Sequence, residues 1–188
     1  MSFFLRDTSR SSDPAFWEAY GESKAELERL RHSDDQLTRL RLLGAVGSYA
    51  RLVDRLDESL ELLREALALS RALHLKGFEA ANLIRLGTTC QYAGQSFDAE
   101  KCFREALELS ESPEAREYRD FAWQHLGKLL AETGLYGAAR QCFEAALLLR
   151  RQKGDTSLIH STLQALDMLN TLSPSDTPHA NPVDPHAF

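Results

Sequence analysis

Three series of residues recur along this chain at a spacing of forty. Glycines stand at Gly47, Gly87 and Gly127, alanines at Ala66, Ala106 and Ala146, and large apolar residues at Leu63, Phe103 and Phe143. The stretches Leu42–Leu69, Asn82–Leu109 and Ala122–Leu149 align without a gap. A repeat of this length constrains the fold more than any local preference. One unit cannot bury its apolar face alone, so successive units must stack and share a continuous core.

Each unit reads as two helices. In the first helix of unit three, Trp123, Leu126, Leu130 and Ala131 recur every three or four residues, and in the second Ala139, Phe143, Ala146 and Leu147 do the same. That is the stripe of an amphipathic helix packed on one side. Gly94 and Gly134 fall between the paired helices, where the chain must reverse, and unit one has Asp54 there. Gly87 and Gly127 lie inside first helices, where glycine costs about 1 kcal/mol against alanine. The expected compensation is close approach of the paired helix, with Ala66, Ala106 and Ala146 as the small residues facing them.

The order Trp-x-x-Leu-Gly, then Gly-x-Tyr, Ala, Phe and Ala in unit three resembles the tetratricopeptide repeat. The resemblance rests on Trp123, Leu126, Gly127, Gly134, Tyr136, Ala139, Phe143 and Ala146, and in unit two on Leu86, Gly87, Gly94, Ala99, Phe103 and Ala106. Unit two departs at Leu83 and Ser96. Unit one departs at Val46, Ser59 and Leu63 while keeping Gly47 and Ala66. The usual period is 34 residues, so a step of forty looks like the longer-repeat subclass found in kinesin light chains and several bacterial regulators. The resemblance implies an all-α fold: a right-handed superhelical solenoid of about three helical hairpins with a capping helix at each end.

The expected organisation has a flexible start over 1–12 and an N-terminal capping helix over 13–32. An array follows over 33–172, with units near 40–73, 80–112 and 120–152 and a C-terminal capping helix over 157–171. In the first cap, Asp13-Pro14 is an N-cap before a first-turn proline, with Trp17, Tyr20 and Leu27 as candidate core contacts. Ser33-Asp34-Asp35-Gln36 fits a capping box, and Ser112-Pro113 and Asp155-Thr156-Ser157 read as further helix starts. In the last helix Leu163, Leu166 and Asp167 stand forty residues after Trp123, Leu126 and Gly127. Residues 173–188 hold four of the six prolines, a composition expected to form a disordered tail.

Charge and composition exclude several function classes. Lys and Arg number 22 and Asp and Glu 28, a net charge of −6, which disfavours coating a nucleic acid. No apolar run is long enough to span a membrane, and Phe3-Phe4-Leu5 is too short for a signal-peptide core. Three cysteines do not make a disulfide scaffold, so a cytoplasmic location is expected.

The motifs of nucleotide-binding loops, serine hydrolases and zinc proteases are absent, and the reading is a protein without catalysis, cofactor or metal. Cys102 and Cys142 occupy equivalent positions in adjacent units. Packed helices are about 8–10 Å apart, too far for a disulfide, so these thiols and Cys90 read as small core residues.

The resemblance also implies that first helices line a concave groove. Its positions carry Arg41, Ser48, Arg51, Arg85, Thr88, Tyr92, Gln124, His125, Lys128 and Gln164, with no acid among them. Second helices carry Asp57, Glu58, Glu61, Glu65, Asp98, Glu100, Glu105, Glu108 and Glu144. A net-acidic chain would thus present a mildly basic groove, suited to an acidic peptide. Gly44, Ser48, Ile84 and Thr88 stand where the family's carboxylate clamp needs Lys and Asn, so that clamp is not expected.

The expected function is a protein-interaction module that binds a peptide segment of a partner in its groove. The partner-binding residues are Arg51, Arg85, Thr88, Tyr92, Gln124, His125 and Lys128. The alternatives are a regulator that senses a peptide or small ligand and acts on a separate partner, or a self-associating scaffold that forms a homodimer through its incomplete last repeat. In a further variant of the groove reading, the C-terminal tail lies in the groove as an internal competitor.

Overall fold

The computed structural model describes residues 13–172. Both the expected flexible start over 1–12 and the proline-rich tail over 173–188 lie outside the described residues. Among the described residues eight α-helices follow one another: α1 Pro14–Arg29, α2 Gln36–Leu52, α3 Leu56–Ala72, α4 Lys76–Tyr92, α5 Ser96–Leu109, α6 Arg119–Glu132, α7 Tyr136–Lys153 and α8 Thr156–Leu172. No strand occurs among the described residues. The pairs α2/α3, α4/α5 and α6/α7 are antiparallel hairpins stacked in chain order, with α1 against α2 at one end and α8 against α7 at the other. The chain is an α-solenoid.

The hairpin turns share one geometry. Asp54, Gly94 and Gly134 each adopt the left-handed conformation, with φ of 62°, 74° and 81°. The next amide closes back on the preceding helix: Arg55 N donates to Ala50 O (2.9 Å), Gln95 N to Cys90 O (2.8 Å) and Leu135 N to Leu130 O (2.8 Å). This six-residue closure satisfies a helix-end carbonyl and favours glycine at the left-handed site. Aspartate is among the few other residues that tolerate it, which accounts for Asp54.

The mid-helix glycines are seats for large side chains, a correction to the expected alanine contact. A Cβ on Gly87 would stand 2.7 Å from Phe103 Cε1, one on Gly127 2.7 Å from Phe143 Cε1, and one on Gly47 2.7 Å from Leu63 Cγ. Phe103, Phe143, Leu63 and the three repeat alanines are all fully buried. In units two and three the ring lies against the glycine. Ser59, a departure from the repeat pattern, is buried and bonded: its Oγ donates to Gly47 O (2.7 Å) and lies 3.0 Å from Thr89 Oγ1. The hydroxyl therefore ties the first hairpin to the second.

Several expected starts differ. First helices α2 and α4 begin at Gln36 and Lys76, ahead of the expected unit starts at 40 and 80. Ser112-Pro113 does not open a helix. Ala115 N closes a turn on Ser112 O (3.2 Å), a short 3-10 turn spans Arg116–Tyr118, and α6 begins at Arg119. Ala115 is buried, and the Glu114 carbonyl approaches Gly77 so closely that a Cβ there would be 2.8 Å away. Those contacts hold the segment against α4 and delay the helix. The capping box at Ser33 is replaced by an aspartate cap: Asp35 Oδ1 accepts from Thr38 N (3.0 Å), while Ser33 Oγ accepts from Asp35 N (3.1 Å). Asp13 caps α1 through Ala15 N (2.9 Å), and Asp155 accepts from Ser157 N and Leu158 N (both 3.0 Å).

In α1 the core contacts are Phe16 and Tyr20, whose rings lie 5.3 and 5.9 Å from Tyr49, while Trp17 is 45% exposed. Leu27 packs at the same joint.

Candidate functional site

The first helices α2, α4 and α6 bring several of the expected partner-binding residues within reach of one another. The Arg51 guanidinium lies 5.0 Å from the centre of the Tyr92 ring, a cation–π distance. Its Nε is buried with no hydrogen-bond partner. Thr88 Oγ1 donates to Ile84 O (2.7 Å) and lies 3.2 Å from His125 Nδ1. A hydroxyl has one proton, so His125 Nδ1 donates to Thr88 and Nε2 is left as the ring's acceptor. The His125 ring stacks on Phe103, with centroids 5.7 Å apart. That contact couples His125 to the side chain seated on Gly87.

Three cations here are desolvated. Burial pushes the Arg51 and Arg85 guanidinium groups below their ordinary values, and the only groups acting in the opposite sense are Tyr92 and Tyr118 respectively. Neither arginine forms an ion pair with a described residue. Burial, and then the charge of Arg150, lower Lys128, while Glu132 raises it. His125 is held well below its ordinary value, first by burial and then by the charges of Lys128, Arg51 and Arg150. By contrast, several cations elsewhere are paired: Arg39 with Glu65, Arg71 with Glu79 and Glu105, and Lys24 with Glu58.

The His125 shift makes a pH prediction. A histidine that stays neutral in the fold but protonates at about 6.5 when unfolded binds fewer protons in the native state. Stability is then full above pH 6.5 and falls as pH drops below it. Between pH 7.5 and pH 5.5 the loss is expected to reach about 1.4 kcal/mol. His125→Gln should flatten that part of the curve, as read from urea unfolding at each pH; an unchanged slope would remove His125 as its source.

Arg85 sits apart from this cluster. Its Nη1 donates to Asn82 Oδ1 (3.0 Å) and lies over Gly44, 3.2 Å from where a Cβ would stand. Gln124 faces another way: its Oε1 accepts from Arg150 Nη1 (3.1 Å) and Thr162 Oγ1 (3.0 Å), inside the joint between α6, α7 and α8. Arg41 is exposed and stands 5.9 Å over the Phe78 ring, Ser48 donates to Gly44 O (2.8 Å), and Gln164 is exposed on α8.

An acid does reach this face, contrary to expectation: Glu132 Oε2 accepts from Gln91 Nε2 (2.8 Å). Asn82, fully buried with an unpartnered Nδ2, and Gln91, with an unpartnered Oε1, were also missed. Both fall within one turn of predicted positions on α4, and a helical wheel drawn one residue wider would have included them.

The cysteines differ in their pairing. Across α4 and α5 the Cys102 thiol hydrogen-bonds Cys90, which raises Cys102 and lowers Cys90. Burial pushes Cys142 up to about 12. All three remain thiols. Among the described residues no cluster of His, Cys, Asp or Glu could hold a metal ion, and no helix is long and apolar enough to cross a membrane.

With this geometry in hand, two family models match, both described as tetratricopeptide repeat, over residues 27–112 and 122–153. The chain belongs to the tetratricopeptide repeat family. Repeats of this kind build protein-interaction modules and are typically non-catalytic scaffolds. No curated protein matches the chain at a significant level. Among solved structures, the chain is similar to BtubC (BKLC) from P. vanneervenii at 15% identity and a TM-score of 0.64, covering 95% of this chain and 82% of that one. It is also similar to a Podosopora anserina putative kinesin light chain with nearly identical TPR-like repeats, at 13% identity and a TM-score of 0.58, over 86% and 90% of the two chains. At such identities the likeness is one of fold.

Proposed function

We propose that the concave face of this tetratricopeptide array binds an acidic peptide segment of another protein and acts by positioning it, without chemistry. The observation that carries this reading is the set of three desolvated cations, Arg51, Arg85 and Lys128, of which the two arginines lack a carboxylate. A half-buried charge without a counter-ion is partly desolvated at a cost, and an incoming carboxylate would offset that cost. Tyr92 supplies an aromatic wall held by Arg51, and Thr88 and His125 supply a rigid polar edge with one acceptor nitrogen. Glu132 opposes a second acid near Lys128, so the peptide's acids belong beside Arg51 and Arg85. Gln124 is committed to the α8 joint and takes no part in contact.

The test is affinity capture from source-cell lysate with the full chain and an Arg51→Glu/Arg85→Glu control of equal helicity. A partner retained by the wild type should be lost by the control. For a purified partner the affinity should fall by at least about thirtyfold, or about 2 kcal/mol, and should weaken with salt. Equal retention by both would remove the binding surface from the groove.

A further inference from the structure

We propose that the outer face of α8 is the contact surface for a second copy of this chain, docked antiparallel across a two-fold axis. This surface is separate from the groove. Helix α8 occupies the place of a first helix in a fourth unit, since Leu163, Leu166 and Asp167 stand forty residues after Trp123, Leu126 and Gly127. In α4 and α6 the corresponding face receives a second helix whose phenylalanine sits on glycine. In α8 no described helix covers it.

One side of α8 is firmly docked. Thr162, Ala165 and Leu169 are buried, Arg150 Nη1 donates to Leu158 O (3.1 Å) and Thr162 Oγ1 (2.7 Å), and Arg140 Nη2 donates to Asn170 Oδ1 (2.7 Å). The adjoining side bears Ile159, Leu163 and Leu166 at spacings of four and three, the pattern of a helix-pair seam, with Leu166 at its inner edge also packed on the core. Leu163 is 37% exposed, and Ile159 and Leu166 are partly so.

Charge identifies the occupant. Across Thr156–Leu172 there is no Lys, Arg or Glu; the only titratable side chains are His160 and Asp167, both exposed. In an antiparallel pair, positions flanking the seam on the same side face each other, and His160 and Asp167 are seven residues apart on that side. Each His160 then meets the other copy's Asp167, twice over. The two aspartates are kept about 10 Å apart by the 1.5 Å rise. The helix is thus complementary to itself. Asp167 also forbids a second helix seated as α5 and α7 are, because a Cβ at Gly87 or Gly127 would already be 2.7 Å from the phenylalanine ring.

A seam on one helix of about 25 Å gives an interface at the small end of specific ones, so the dimer is expected to have a dissociation constant on the order of 10 µM. Sedimentation equilibrium of the full chain from about 1 to about 500 µM should show the mass rise from 21.1 kDa towards twice that value. Leu163→Glu should stay at the monomer mass with unchanged helicity and melting temperature, because the position is partly exposed. His160→Asp should weaken association at least tenfold, and adding Asp167→Lys should restore it. A monomer at every concentration would overturn the proposal, as would a Leu163→Glu variant that associates like the wild type. A monomer that dimerises only after deletion of 173–188 would assign the face to the chain's own tail and overturn it equally.

Discussion

Replacing Arg150 with methionine should destabilise the chain by about 3–5 kcal/mol, the usual result of removing one partner from a buried ion pair. Arg150 is 2% exposed and Asp120 fully buried. Arg150 Nε donates to Asp120 Oδ2 (2.9 Å), and its Nη1 reaches Gln124, Leu158 and Thr162. One guanidinium therefore holds the end of α7 against α6 and α8. Lys153 also pairs with Asp120, which places the expected loss at the lower end of that range. For a chain of this size each kcal/mol moves the melting temperature by about 2–4 °C, so circular dichroism should show a drop of about 10 °C.

Because repeat arrays are stabilised by neighbour contacts, the drop should appear first in α8. Amide exchange over 156–172 should accelerate before exchange in α4. Arg150→Lys should not rescue, since an ammonium lacks the planar fork that serves several acceptors at once. A loss under about 1 kcal/mol would mean that the network is replaceable by apolar packing.

Phe103→Ala should cost a similar amount, about 3–5 kcal/mol. The ring is fully buried, lies on Gly87 and stacks on His125. Truncation opens a cavity that cannot collapse, since glycine offers no side chain to fill it. Phe103→Leu should cost only about 1–1.5 kcal/mol, because unit one already seats Leu63 on Gly47 at the same separation. The ratio between the two variants, measured by urea unfolding, is the critical quantity. Equal losses would mean that ring shape and the His125 stack matter more than volume. Phe103→Ala should also weaken groove binding beyond its stability effect, because His125 would lose the face that fixes it.

The repeat, the two helices of each unit and the turn glycines were legible in the sequence because each is a local, periodic property. Residues three and four apart share a helix face whatever surrounds them, and a step of forty carries that face from unit to unit. Gly87 and Gly127 announced a close approach, although Phe103 and Phe143, not Ala106 and Ala146, are what approach. Arg51 and Tyr92, and Thr88 and His125, meet across first helices, a placement the resemblance to the repeat family, not periodicity alone, led one to expect.

Partnership was not legible. Arg150 reads as a basic residue in a last helical turn, yet its partners Asp120, Gln124 and Thr162 lie on other helices, 30, 26 and 12 residues away. Glu132 and Gln91 meet across 41 residues, and nothing in either local stretch foretells the contact. The start of α6 was misplaced because a burial at Ala115 and a carbonyl over Gly77 outweigh the local turn signal of Ser112-Pro113. The sequence alone thus determined the repeat, its helices and its sharp turns, which depend on short-range geometry. Only the tertiary structure decided which cations are paired, which are half-buried without a counter-ion, and which face of the last helix no described helix covers. Those outcomes depend on desolvation and on contacts between helices that the stacking of units brings together.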